Sequence, residues 1–242
     1  MLAGLAACVA LGGCEPPRAA GSLRIGSSPT GVPFSYVDPA TNRLTGLMID
    51  MAMAVTRAAG MPADTAITPF SALISSLLTR RIDMIAAAML RTPDREKIVA
   101  FSEPLYRYGG GLVVRGDGGS FHDLAAIRDL RVGAQVGTRF TDQLREAGVR
   151  NVATYESLSD VLRDLDHGRL DAGYGDEPVL AYQLRVRPRE KLRLAREFAS
   201  PGQEELCLIM RRGDPTLARV NAAIEQLRPT RLPQIRRDWN LG

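Results

Sequence analysis

Two periodicities alternate along the chain. Short apolar runs of three to eight residues read as buried strands: Leu23 to Ser27, Thr65 to Thr68, Ile82 to Met89, Leu112 to Arg115, Val132 to Val136, Val152 to Tyr155, Leu170 to Tyr174, Leu192 to Leu194 and Leu206 to Met210. Between them lie helical stripes. Phe70, Leu73, Ile74, Leu77 and Leu78 fall on one face at i, i+3, i+4, i+7 and i+8, and Leu158, Val161, Leu162 and Leu165 repeat the pattern. Strands that alternate with amphipathic helices predict an α/β architecture with sheets covered on both faces.

Local signals mark where helices begin. Ser157 with Asp160 three residues on approximates a capping box, and Asp214-Pro215 reads as an N-cap followed by proline at the first helical position. Gly109-Gly110-Gly111 and Ser200-Pro201-Gly202 punctuate the chain without a low-complexity linker. Two punctuated segments suit a chain that leaves one lobe, builds a second and returns, with hinges near 108–112 and 200–206. Lobe 1 then comprises 22–107 plus 205–242, and lobe 2 comprises 111–201.

The chain has 242 residues, 45% hydrophobic and 24% charged, which places it with globular proteins and excludes disordered or fibrous classes. The net charge of +4 comes from arginines scattered among acids, without a basic stripe interleaved with aromatics, so no nucleic-acid partner is expected.

The first residues, MLAGLAACVALGGCEPP, are an apolar stretch too short for a bilayer span of about 20 residues, and read as a targeting segment within 1–21. Of three cysteines, Cys8 lies inside that segment and Cys207 sits in an apolar run. A disulfide framework is excluded on count, and Cys207 reads as a buried, inert thiol. His122 and His167 read as solvated residues at helix ends, and no cluster of metal-ligand spacing is present, so neither metal nor cofactor is expected.

Other segments carry a resemblance. Leu23-Arg24-Ile25-Gly26, Pro33-Phe34-Ser35-Tyr36, Leu44-Thr45-Gly46, Ile82-Asp83-Met84-Ile85, Thr92-Pro93-Asp94-Arg95 and Phe101-Ser102-Glu103-Pro104, followed by Val132 to Thr138, Asp171-Ala172, Gly175-Asp176, Arg212 to Pro215 and Trp239, stand in one colinear order. Together they resemble the family 3 extracellular solute-binding proteins of amino-acid ABC transporters. The resemblance implies a two-lobed periplasmic-binding-protein (Venus flytrap) fold, each lobe a mixed sheet flanked by helices, with two hinge crossings. It implies capture of a small carboxylate-bearing ligand, an amino acid first, and delivery to an ABC permease by a monomer. Leu11-Gly12-Gly13-Cys14 is similar to a lipobox, which would make Cys14 the acylated membrane anchor of an extracytoplasmic protein, although no Lys or Arg precedes the apolar run.

Site residues follow from helix-end chemistry and from the resemblance. Thr92 reads as an N-cap and Pro93 as the first helical residue, so Arg95 enters the crevice from the first turn, with the backbone near Leu90 beside it. Its planar fork matches a carboxylate bidentately, and the resemblance assigns it the ligand's α-carboxylate; on spacing alone, an ion pair with Glu96 or Glu103 fits as well. Gly137 and Thr138, between a strand and a helix, offer free N–H groups to the same anion. The resemblance assigns the α-ammonium to Asp176, which could equally cap the helix starting near Pro178. Phe70 matches a ligand-facing aromatic, and Phe34 suits core and pocket equally.

Departures from the family pattern also shape the site. Ala88-Met89-Leu90 stands where Gly-Met followed by Ser or Thr is usual, so a hydroxyl acceptor is missing; Gly31 stands where an aromatic often stacks, Ser28 where many members carry an acid, and Met48 in place of an Asp. A less polar pocket for an uncharged or apolar side chain follows. Two rival functions share the resemblance: a cyclohexadienyl (prephenate or arogenate) dehydratase, with Glu177 as the nearest general acid, and a sensor acting through a membrane partner.

Overall fold

A computed structural model of the chain describes residues 21–241. The expected targeting segment, Cys8 and Cys14 lie outside the described residues. Two mixed sheets organise the rest.

The first sheet collects β1 (Leu23–Ser27), β4 (Ala63–Ile67), β5 (Met84–Ile85), β6 (Val99–Phe101) and β13 (Ile209–Arg211) in the order β4-β1-β5-β13-β6. Its first three strands are parallel, with Ile25 opposite both Thr65 and Met84, and β13 runs antiparallel to β5 and β6. A two-stranded ribbon of β2 (Tyr36–Asp38) and β3 (Arg43–Thr45) follows β1. The helices of this lobe are α1 (Leu47–Ala58), α2 (Leu73–Leu78), α3 (Pro93–Glu96), α7 (Leu217–Leu227) and α8 (Arg231–Asp238).

The second sheet is built by β7 (Tyr106–Arg115), β8 (Arg131–Gln135), β9 (Asn151–Tyr155), β10 (Ala172–Asp176) and β11 (Leu192–Leu194) in the order β11-β7-β10-β8-β9, with β12 (Gln203–Leu206) paired to β7. Helices α4 (Arg139–Glu146), α5 (Leu158–Asp166) and α6 (Glu177–Val186) accompany it. β8, β9 and β10 run parallel, and β7 crosses antiparallel to β10. The fold is therefore α/β and two-lobed.

Packing explains why the elements sit where they do. Leu158, Val161, Leu162 and Leu165 of α5 are all buried, and each such side chain contributes about 1.5–3 kcal/mol by leaving water. α5 lies so close to the sheet that a Cβ at Gly133 would press on Val161 and Leu170. Ser157 caps this helix by accepting from the Asp160 N–H at 3.2 Å, while its hydroxyl donates to the Asp160 carboxylate at 2.7 Å.

Several sequence expectations need correction. The run Ile82 to Met89 is strand only at Met84–Ile85: β5 exhausts its partners there, and the buried Ala86, Ala87 and Met89 belong to a segment that leaves the sheet. Leu206 to Met210 is divided between two sheets, β12 in one and β13 in the other, with buried Cys207 and Leu208 between them. The Gly109-Gly110-Gly111 run is extended strand within β7 rather than a break. Small residues are needed there because a Cβ at Gly110 would collide with the Tyr174 ring, and one at Gly111 would meet Glu177. Leu78 is exposed because α2 ends with it. α7 starts at Leu217, since Asp214 instead accepts from the Thr216 N–H and hydroxyl at 3.0 and 2.6 Å in a local turn. His122 is exposed in an irregular stretch, and His167 is the exposed C-cap of α5.

Candidate functional site

The C-terminal ends of the parallel strands of the two sheets meet, which is where open α/β sheets bind ligands. Ser28 follows β1, Ala87 and Ala88 follow β5, Gln135 ends β8 and Asp176 ends β10. With Thr30, Gly31, Ser35, Phe70, Leu158 and Val179 they line a narrow cavity between the lobes, with room of about 10 Å³ for the centre of a water-sized sphere. Four of the nine expected ligand-binding residues, Ser28, Phe70, Ala88 and Asp176, are on this wall.

Arg95, Leu90, Gly137 and Thr138 form a second group beside the cavity. Thr92 caps α3, accepting from the Arg95 N–H at 3.3 Å with Pro93 at the helix start, and this aims Arg95 across the gap. One guanidinium nitrogen donates to the Leu90 carbonyl at 2.5 Å, the other to the Gly137 carbonyl at 2.7 Å. The fork thus joins residues of both lobes. Partial burial pulls the Arg95 pKa down, opposed by the nearby Asp142 charge, so the cation is held where a permanent anion would be welcome. Of the two acids considered as partners for Arg95, Glu96 lies 3.7 Å from Arg91 instead.

Gly137 adopts φ 72°, a left-handed turn residue between β8 and α4, and presents its carbonyl to Arg95 where free amides were expected. The Thr138 hydroxyl donates to the Gln135 carbonyl at 2.8 Å, leaving the α4 N-terminus without a side-chain cap. Through Gln135, this turn adjoins the cavity wall.

Asp176 is buried and takes the N-cap position of α6, yet its side chain makes no cap bond. It accepts a hydrogen bond from the Tyr108 hydroxyl. Burial pushes the Asp176 carboxyl up to about 6, against the stabilising Tyr108 bond, and the same burial raises Tyr108 well above the usual phenol range. A carboxylate so poorly solvated invites an ammonium partner.

Two expected residues stand back from the cavity. Phe34 is fully buried in the core, its ring 5.1 Å from that of Tyr108 and 6.3 Å from that of Tyr106, and it is not among the residues that line the cavity. The Leu90 side chain also joins the core, and its carbonyl alone faces Arg95. Glu177, the candidate general acid, is not on the cavity wall: it lines an open depression with Tyr182, Arg185, Arg196 and Asn240. Cys207 is a free buried thiol with its pKa raised to about 11 by burial. Among the described residues no group of three or more His, Cys, Asp or Glu side chains is placed to hold a metal ion.

Three residues not anticipated from the sequence complete the site. Gln135 donates to Thr30 across the lobes at 3.2 Å and to the Glu156 carbonyl at 2.9 Å, and Thr30 shares a hydroxyl bond with Ser28 at 2.8 Å. Tyr108 is the third. The position of Gln135 at the end of a buried strand was the available signal.

Residues 23–242 match the family model of bacterial extracellular solute-binding proteins, family 3. The chain belongs to this family. Among its relatives, the ABC transporter arginine-binding protein 1 of Escherichia coli (strain K12) is 29% identical over 174 residues, covering 71% of this chain and 70% of the relative. A solved ancestral arginine-binding protein bound to arginine superposes with TM-score 0.82 at 28% identity, covering 90% of this chain and 98% of the other. The ancestral amino acid-binding protein AncCDT-1, a precursor of cyclohexadienyl dehydratase, superposes with TM-score 0.81 at 26% identity over 90% of this chain and 95% of its own. This family 3 protein is thus an extracellular solute-binding protein by descent.

Proposed function

We propose that this family 3 protein captures a zwitterionic amino acid between its lobes and delivers it to an ABC permease. The observation that carries the reading is the Arg95 fork, fixed by its capped turn and reaching from Leu90 on one lobe to Gly137 on the other. An incoming α-carboxylate replaces weak carbonyl acceptors with a charged one, and charge-assisted bidentate bonds are roughly twice as strong as neutral ones. At the other end of the cleft, Asp176 receives the α-ammonium, whose charge offsets the desolvation that raises its carboxyl pKa. Thr138 and Gly137 close over the carboxylate, with Ser28, Phe70 and Ala88 as walls; Phe34 and Leu90 back the site.

Closure is a population shift, driven only by contacts the ligand makes better in the closed form. β7 and β12, paired along Tyr106 to Gly109, form the strap between lobes 22–107 plus 205–242 and 111–201. The relatives named for arginine binding support the amino-acid class. The position of Glu177 outside the cavity favours binding over a dehydratase reaction. In this reading the protein works as a monomer, held at the extracytoplasmic face of a bacterial membrane by acylated Cys14.

Isothermal titration with a panel of L-amino acids tests the reading. At least one should bind, and Arg95→Ala should weaken it by about a hundredfold or more, the loss expected when one member of a desolvated charge pair is removed. Unchanged affinity in that variant refutes the assignment.

A further inference from the structure

Resting on that amino-acid reading, we propose that the cleft selects a short, uncharged side chain, of the size of alanine, serine or threonine, and that Gln135 and Thr30 set the limit. The space its walls leave is small, about 10 Å³ for the centre of a water-sized sphere and far below the roughly 300–1,000 Å³ found for small-molecule sites, so a long side chain has the most wall to displace. Its eleven lining residues include one ionisable group, Asp176, whose carboxylate already accepts from Tyr108. If that carboxylate takes the α-ammonium, a cationic side chain meets only Ser28, Thr30, Ser35 and Gln135 as polar wall residues, and a buried charge without a counter-charge is strongly disfavoured.

Length is limited by a chain of bonds. The Gln135 amide donates to Thr30 at 3.2 Å, and Thr30 pairs with Ser28 at 2.8 Å, so one polar relay spans the gap between the lobes. A long side chain has to push through this relay and leave its groups unpaired. A short one leaves it whole, with the hydroxyls of Ser28 and Thr30 as partners for a hydroxyl and Ala87, Ala88, Phe70 and Val179 as contacts for a methyl. A site built on buried polar pairs rejects a ligand that breaks them more firmly than one differing by a methylene.

The test uses the full chain, freed of carried-over ligand by unfolding and refolding, and calorimetric titration with L-alanine, L-serine, L-threonine, L-methionine, L-arginine and L-histidine. At least one of the first three should bind about tenfold or more tighter than arginine and histidine. The double variant Gln135→Ala with Thr30→Ala should move the preference by about tenfold toward methionine. Arginine or histidine binding as tightly as the small amino acids, or an unchanged ranking in the double variant, overturns the proposal while leaving the amino-acid reading in place. Binding of none of the six defeats this proposal, and a wider panel that is equally silent defeats the reading beneath it.

Discussion

The two lobes bring opposite chemistry to the cleft, and they hold it at different cost. The lobe of the five-stranded sheet supplies a cation on α3, a helix of one turn, with Asp94 and Glu96 exposed around it, so Arg95 keeps its charge at any physiological pH. The lobe of the six-stranded sheet supplies a carboxyl at the buried end of β10, where desolvation raises its pKa to about 6. One lobe is ready for its half of a zwitterion, whereas the other is improved by the ligand's arrival. On the amino-acid reading proposed above, that asymmetry assigns docking to the first lobe and ligand-driven closure to the second.

The largest effect expected concerns the seam that supports both lobes. Phe34, from the first lobe, packs against Tyr106 and Tyr108 of the connecting strand, and Phe34→Ala should cost about 3–5 kcal/mol in denaturant unfolding. If stability is kept and affinity falls instead, Phe34 belongs to the ligand wall and the division of labour between lobes is wrong.

The next sharpens the electrostatic contrast. Asp176 has a folded pKa of about 6, above its ordinary value of 3.8, so its contribution to stability is fully present below pH 4 and is lost as pH rises through about 6. Asp176→Asn should therefore stabilise the ligand-free protein above pH 6, by on the order of 2–3 kcal/mol, and flatten the pH dependence of its melting. Ligand binding runs the other way: protonation of Asp176 removes the ammonium's partner, so affinity should fall by up to about tenfold per unit below about pH 6. A pH-independent affinity between 4.5 and 7.5 would place the ammonium elsewhere.

How much of this was readable in advance depends on the range of the interactions. β1 and β11 have the bounds their apolar runs indicated, the α5 stripe packs as its spacing required, and the Thr92 and Ser157 caps are where local hydrogen bonding placed them. These are signals within a few residues. The relay from Gln135 to Thr30 joins positions 105 apart, and Tyr108 reaches Asp176 over a separation of 68, so neither had a local mark. The same limit explains the Ile82 to Met89 run: its composition fitted strand, but strand length is set by partners, and β13 reaches β5 at Ile85 alone. Phe34 shows it again, since a proline before an aromatic fits pocket and core equally until Tyr106 and Tyr108 arrive from seventy residues on.

The smallest effect is the most discriminating, because it acts on the carboxyl without changing its charge. Tyr108 lies on β7 where that strand also pairs with β12, with Glu204 as its opposite number, so its hydroxyl ties Asp176 to the strap between the lobes. Tyr108→Phe keeps the ring packed on Phe34 and removes only the donor. The ionised carboxylate then loses its stabilising bond, so the Asp176 pKa rises further and the acid limb of the binding profile moves to higher pH. Net loss of affinity at pH 7.5 should be small, about 1 kcal/mol or less, as for one hydrogen bond. The shift of the limb is the telling readout, followed by calorimetric titration in steps of pH. An unmoved limb with weakened binding would make Tyr108 a packing residue, and would leave the second lobe's acid positioned by β10 alone.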